Sequence, residues 1–305
     1  MTTSEAEPLL PLNYGKAWRQ IELENPGLSV QSAAVLGEGW NSRVYLVNNE
    51  LVFRFPKRSE QWGELDREIK FLAFAADKLP LAVPRYLQVV RESPAAEFGY
   101  AVYRYLRGRA LNVSAGPQSQ RVAEAARIGG FLRVLHGLKP HPDIASILPR
   151  EDQRGIAEQY YARAERDVIP RLTPSEAKVL QKQFEMYLST PGNFRFPPVV
   201  LHADLGKDHI VVEDGLVSGV LDFGDVNWGD PDYDFMYLFV DFGVDFAIEV
   251  VARRYGHPNL DQLRIKLCYF GILDQIGTIL DGAGRALEGQ ETAAWHRLQQ
   301  LLRSE

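Results

Sequence analysis

Between residues 199 and 225 the chain runs apolar, breaks into a polar loop, and returns through a short hairpin onto a pair of acids. The loop is Leu201-His202-Ala203-Asp204-Leu205-Gly206-Lys207-Asp208-His209-Ile210. Ile210 to Val212 and Val217 to Leu221 flank Glu213-Asp214-Gly215, and Asp222-Phe223-Gly224-Asp225 follows. Asp204 falls on a loop after an apolar strand, and His209 where the chain re-enters one. Asp222 ends the return strand, so closing the hairpin carries it back beside the Asp204–His209 loop. Any fold of this chain must gather two carboxylates and an imidazole at one strand end. That set suits one or two divalent metals and a base, which are the parts phosphoryl transfer uses.

The texture on either side of this stretch differs. Upstream, Arg43 to Val47 and Leu51 to Phe55 flank Asn48-Asn49-Glu50, a hairpin signal because Asn tolerates positive φ. Leu65, Ile69, Leu72 and Ala76 recur at helical spacing, predicting a helix over 63–78 closed by Pro80 and Pro84. Two further β-prone runs span Tyr86 to Val90 and Tyr100 to Leu106. After Gly108 the pattern changes to long helices, over 122–138, 153–168 and 175–188, and the last 65 or so residues are mostly helical. Thr173-Pro174-Ser175-Glu176 reads as a helix entry with Thr173 as cap. The expectation is an α+β chain of two lobes. Residues 1–104 form a small sheet-rich unit with one helix, and residues 105–305 a larger helical unit with one embedded hairpin. The cleft between them is the natural ligand site.

Composition bounds the partners. The 305 residues exceed what a disulfide-stapled mini-protein needs, and one cysteine, Cys268, excludes an internal disulfide and a multi-cysteine metal site. Cys268 reads as a small buried hydrophobe. With 34 basic and 40 acidic residues the net charge is −6, a poor footing for general nucleic-acid binding. The acidity is uneven: residues 208–252 hold 11 acids and no Lys or Arg, and the remainder is net basic. That concentration favours Mg²⁺ and a cationic acceptor. Met1 to Glu7 lacks a basic n-region and an apolar core, and no apolar run reaches the roughly 18 residues a membrane helix needs. The expectation is a soluble, cytoplasmic, monomeric protein without a membrane or nucleic-acid partner.

His-x-Asp-x-x-x-x-His followed by Asp-Phe-Gly resembles the catalytic and metal motifs of the aminoglycoside phosphotransferase family, relatives of the protein kinases. Gly37-Glu38-Gly39-Trp40-Asn41-Ser42 stands where that family has its nucleotide loop, and Phe53-Arg54-Phe55-Pro56-Lys57 resembles its third strand. Glu68 falls where the family's lysine-pairing glutamate lies. Leu79 to Pro84, Leu135-His136 and Asp230-Pro231-x-x-Asp234-Phe235 are also family-like. The resemblance covers residues 30–245. It implies a kinase-like fold and transfer of the γ-phosphoryl of ATP or GTP to a hydroxyl. Asp204 is the implied catalytic base, and His209 and Asp222 the implied Mg²⁺ ligands. Gly37, Gly39, Ser42, Arg54 and Glu68 would serve the phosphates, and Tyr103, Arg104 and Leu106 of the hinge the nucleobase. Asp225, Asp241 and Asp245 would meet a cationic acceptor.

Two residues depart from the kinase pattern. His209 replaces the usual Asn, although Mg²⁺ prefers oxygen ligands. The 2''-phosphorylating aminoglycoside branch and the macrolide phosphotransferases also carry His there, and both are associated with GTP, so the residue narrows the resemblance. Arg54 replaces the phosphate-contacting Lys. Its guanidinium is always charged and forks onto phosphate oxygens. Lys57 is the other candidate, three residues on and on the opposite strand face. His202 reads as a brace for the loop and His136 as structural. Aminoglycoside and macrolide acceptors both remain open, since Phe239 to Asp245 mixes acidic and apolar residues. A regulatory nucleotide-binding pseudoenzyme is the rival of another class, opposed by the intact Asp204 and Asp222.

Overall fold

The computed structural model describes residues 14–39, 41–112, 118–282 and 289–303; Met1 to Glu7 and Trp40 of the glycine loop lie outside them. Five antiparallel strands form the N-terminal sheet: β1 (Ala33–Glu38), β2 (Ser42–Val47), β3 (Leu51–Pro56), β4 (Tyr86–Val90) and β5 (Tyr100–Arg104), in the order β1-β2-β3-β5-β4. Asn48 and Asn49 both take φ 54°, the left-handed geometry a two-residue hairpin needs. Alternation along β3 sends Phe53 and Arg54 to opposite faces. Phe53 enters a core with Trp18 and Ile21 of helix α1 (Tyr14–Glu24), which covers the outer face. Arg54 faces the cleft, beside helix α2 (Trp62–Ala75). That helix begins one residue before the expected start and ends three residues short, its last turn loosening ahead of Pro80.

The second lobe is mainly helical: α3 (Gln118–Gly137), α4 (Pro142–Ala145), α5 (Gln153–Asp167), α6 (Pro174–Ser189), α7 (Met236–Val244), α8 (Arg253–Tyr255), α9 (Leu260–Gly282) and α10 (Gln290–Arg303). Thr173 and Glu176 form the expected capping box at the start of α6. Gly243, at φ 80° and ψ 174°, breaks the backbone ahead of a π-helical segment over Asp245–Ala252. Short strands carry the loops: β6 (Arg109–Ala110) pairs with the hairpin of β8 (Ile210–Glu213) and β9 (Leu216–Val220), and β7 (Val199–Leu201) pairs with β10 (Asn227–Gly229).

The two lobes share packing. Phe71, Leu72 and Ala75, at the far end of α2, belong to the core of the helical lobe. Ala82 joins the β9 hairpin through both its N–H and its carbonyl, to Ser218 and Val220. Cys268 on α9 is only partly buried, not the fully enclosed hydrophobe expected, because the core face of α9 is taken by Leu263, Leu267 and Phe270. Among the described residues no helix is long and apolar enough to cross a membrane.

A buried charge cluster sits under the site. Lys266 on α9 donates to Asp230 and, at 2.6 Å, to Asp232, and His257 binds the other oxygen of Asp232 at 2.7 Å. Breaking a buried ion pair by removing one partner costs about 3–5 kcal/mol. Lys266→Met is therefore expected to lower the urea unfolding midpoint strongly, whereas Arg85→Met, at an exposed surface pair, is expected to shift it little.

Candidate active site

The site is assembled from three loops. After β7 the chain turns through His202, Ala203 and Asp204, and Ala203 is held at φ 67°, a conformation unfavourable for a residue with a Cβ. Asp234, on a 3-10 turn after β10, accepts from His202 N at 3.0 Å and from Ala203 N at 2.7 Å. His136 of α3 steadies the same carboxylate at 2.9 Å, and its other ring nitrogen meets the Tyr255 hydroxyl at 3.0 Å. His202 is fully buried. Its Nε2 must donate to the Leu221 carbonyl at 2.9 Å, which leaves Nδ1 to accept from Asp204 N at 3.2 Å. Burial pulls His202 down to about 4, so it is neutral and braces Asp204 against the strand end that precedes Asp222.

His209, closing a 3-10 turn before β8, donates from Nδ1 to the Asp204 carbonyl at 2.8 Å. That bond fixes its orientation and turns Nε2 toward Asp222 Oδ2, 3.9 Å away. Burial pulls His209 down, but Asp204 and Asp222 more than offset it and raise it. Burial pushes the Asp204 carboxyl up to about 7; His209 opposes this, and Asp225, Asp222 and Asp274 add to it. Asp222 follows β9 at φ 59°. Burial raises it, yet Arg54, then His209, hold it below the usual carboxylate range.

From the sheet side, Arg54 Nη1 donates to Glu68 Oε2 at 2.6 Å, Nε to Ser42 Oγ at 3.1 Å, and Nη2 reaches Asp222 Oδ1 at 3.4 Å. Glu68 is fully buried, and its second oxygen accepts from Tyr86 OH at 3.0 Å. Lys57 points away and pairs with Glu38 at 3.1 Å. Gly37 sits at a β-bulge with open space where a Cβ would project, and Gly39 N binds the Ser42 carbonyl at 3.0 Å. Tyr103 is buried edge-on against Tyr86, and Leu106 packs close to Gly219. The Arg104 side chain turns outward to Glu50 at 2.9 Å, leaving only its backbone toward the hinge.

The acidic segment divides. Asp204, Asp222 and Asp225 form one electrostatic group. Asp241 is already occupied: it accepts Lys207 N at 2.8 Å and lies 3.4 Å from Lys207 Nζ. Asp245 is exposed beyond the Gly243 break and, among the described residues, has no hydrogen bond or ion pair to the group. Asp230, Asp232 and Asp234 are consumed by Lys266, His257 and His136, and Glu249 by Arg253 and Arg264. The clustered charge was expected to face a metal and an acceptor. Much of it instead neutralises the interior or caps other cations.

The cavity beside the loop has about 570 Å³ and is lined by residues that sequence motifs did not single out. Glu151, Gln153, Trp228, Tyr233, Tyr269 and Asp274 are among them. Asp274 links cavity and loop: it accepts from Tyr237 OH at 3.3 Å, and the Tyr237 side chain lies beside Gly206. Burial raises both Asp274 and Glu151. Among the described residues Gln153 Oε1 and Tyr269 OH are buried without a hydrogen-bond partner, and both residues line the same cavity. Nothing in the sequence marked these residues, because isolated polar and aromatic residues on helices, strands and turns are equally explained by core packing.

The donor set fits Mg²⁺ held with a nucleotide. Among the described residues no three His, Cys, Asp or Glu side chains converge as a metal cage. Mg²⁺ commonly takes one or two protein ligands and leaves the rest of its octahedron to phosphates and water. His209 Nε2 and Asp222 Oδ2 supply two donors, unbonded to each other at 3.9 Å.

The model of the phosphotransferase enzyme family matches residues 32–265. The chain belongs to that family and is a phosphotransferase with an alcohol group as acceptor. The GDP and kanamycin complex of APH(2'')-IIIa is 27% identical, with a TM-score of 0.87 over 95% of this chain and 99% of that one. The gentamicin complex of APH(2'')-IIa is 20% identical, with a TM-score of 0.74 over 96% and 97%. Macrolide 2'-phosphotransferase MphH from Brachybacterium faecium is 22% identical, with a TM-score of 0.70 over 92% and 97%. The last two share the fold.

Asp234→Ala removes the carboxylate that holds Ala203 in its strained turn. It is expected to cut kcat by at least about 10²-fold, through displacement of Asp204. Steady-state kinetics below the variant's own melting temperature separate this from simple unfolding.

Proposed function

We propose that the chain is a small-molecule kinase that transfers the γ-phosphoryl of ATP or GTP to a hydroxyl of an aminoglycoside-like acceptor. The observation that carries this reading is the acid-lined cavity whose Asp274 accepts from Tyr237, which lies beside Gly206 of the Asp204 loop. Glu151 and Asp274 would meet amines of the acceptor, the aromatic walls its ring faces, and Gln153 Oε1 and Tyr269 OH two of its polar groups. The kanamycin complex of the relative at 27% identity supports a cationic acceptor, and its GDP supports a guanine nucleotide. We divide the lobes after Arg104, residues 1–104 binding the nucleotide and 105–305 the acceptor.

Asp204 orients the acceptor hydroxyl and accepts its proton, and its raised affinity for protons suits that task. His209 and Asp222 would hold Mg²⁺, which neutralises phosphate charge when bound. Arg54, held by Glu68, contacts the α- and β-phosphates, and the open space over Gly37 lets the backbone approach them. The buried Tyr103 gates the nucleobase, with the hinge backbone of Arg104 and Leu106 beside it. Asp225 adds to the field that attracts cations. A macrolide is the second reading, favoured by the aromatic share of the cavity, Tyr160, Trp228, Tyr233 and Phe270.

Aminoglycosides and macrolides assayed with both ATP and GTP test the reading. Aminoglycoside phosphorylation with a GTP preference is expected, and turnover of macrolides alone would transfer the assignment to the second reading. Asp204→Asn is expected to lower kcat by about 10²–10⁴-fold while nucleotide binding persists. His209→Asn is expected to retain activity, since an amide oxygen serves Mg²⁺ as well as an imidazole does; complete loss would assign the imidazole a role of its own.

A further inference from the structure

We propose that Arg67 is a positioning residue for phosphoryl transfer, coupling the glycine loop to the Asp222–Asp225 turn through helix α2. Its Nη1 donates to the Gly224 carbonyl at 2.9 Å, between residues 157 positions apart. Gly224 lies in the turn between Asp222 and Asp225, and that turn begins with a non-glycine residue at φ 59°. Such a conformation persists where the surroundings hold it. Below, the ring of Phe223 is anchored on Phe71 of the same helix, with centroids 5.8 Å apart. Above, Arg67 is the hydrogen bond from α2 that fixes the peptide carbonyl. The turn is thus clamped at two points one helical turn apart on α2.

The other end of the coupling is the first turn of that helix. Glu64 accepts from Asn41 Nδ2, and Asn41 Oδ1 accepts from Gln61 Nε2 at 3.1 Å. Gln61 also receives the N–H groups of Lys57 and Arg58, at 2.7 and 3.0 Å, so the end of β3 is tied in as well. Glu64 and Arg67 stand three residues apart on one helix face. Arg67 and Arg54 are the cations whose charges act on both Glu64 and Asp225, which repel each other across the cleft, and of the two it is Arg67 that stands on α2. The two ends meet in one turn of α2: Asn41 of the glycine loop bonds Glu64, and Arg67, three residues on, bonds the Gly224 carbonyl. Arg67 touches no reacting atom. It sets the separation between the loop over the phosphates and the turn bearing Asp222. Nothing in the sequence marks it, because one arginine in a surface-helix pattern is ordinary.

The consequence for ligand binding rests on the reading of Gly37–Ser42 and Asp222 as the nucleotide and metal sides of one site, so two readouts are used. The first is amide hydrogen exchange of the ligand-free protein. Arg67→Met is expected to speed exchange over residues 223–226 about tenfold, the scale of one lost charge-assisted hydrogen bond, with the helical lobe elsewhere unchanged. Asn41→Ala, on the far side of the helix, is expected to speed exchange in the same segment, and a merely local role for Arg67 would not produce that. The second is equilibrium binding of ATP and GTP titrated with MgCl₂. The half-saturating Mg²⁺ concentration is expected to rise about tenfold in Arg67→Met and less in Arg67→Lys, which keeps the charge and loses the fork. The Asn41→Ala/Arg67→Met double variant is expected to be no weaker than Arg67→Met, because both act through one turn of α2. Unchanged exchange at 223–226 in Arg67→Met, or strictly additive effects in the double variant, would overturn the coupling. If Arg67→Met does not fold, Arg67→Lys and Asn41→Ala carry the same comparison. Wild-type protein that binds neither nucleotide would instead sink the functional reading, while the exchange result would still decide the coupling.

Discussion

Glu68 is a carboxylate with no access to water, and much of the cleft is arranged around keeping it satisfied. One oxygen is taken by Tyr86 and the other by Arg54, which fixes where the Arg54 fork lies. The same guanidinium then has nitrogens left for Ser42 in the strand after the glycine loop and for Asp222 across the cleft. One buried ion pair therefore relates the sheet, helix α2, the strand after the glycine loop and the Asp222 turn. Arginine suits this position better than lysine because three directed contacts are needed from one side chain.

On the opposite wall the design is strain held by hydrogen bonds. Ala203 and Asp222 both occupy left-handed backbone conformations, and both lie in the candidate site. Asp234 pays for the first, through two backbone N–H groups, and His136 and Tyr255 support Asp234 from behind. His202 links the two strained turns directly by bonding to Asp204 N and to the Leu221 carbonyl. A neutral, buried imidazole thus braces the Asp204 loop, and burial is what keeps that imidazole neutral.

The acidity of residues 208–252 shows how far a charge count carries. Three of its aspartates are interior groups balanced by Lys266, His257 and His136, and Asp241 is occupied by Lys207. The acids that line the cavity include Glu151 and Asp274, which lie outside that segment and come from different parts of the chain. A run of like charges in sequence is not a patch in space, because each side chain is turned by its own element's geometry.

Local signals determined the local structure. The Asn48-Asn49 turn, the Thr173–Glu176 capping box, the opposite facing of Arg54 and Lys57, and the hairpin that returns Asp222 toward the Asp204–His209 loop depend on neighbours within a few residues, and each was legible in the sequence. The motif order also sufficed to place the chain in its family. Tertiary structure alone decided the rest. The cavity draws on α5, β7, β10 and α9, the Arg67 contact spans 157 positions, and the pairing of Lys266 joins α9 to the turn after β10. Such contacts depend on how helices pack, and the same acids, aromatics and arginines would read identically in sequence on a solvated face. The physical reason is range: dihedral preferences and capping act over one turn, whereas burial and charge pairing are set only when distant elements meet.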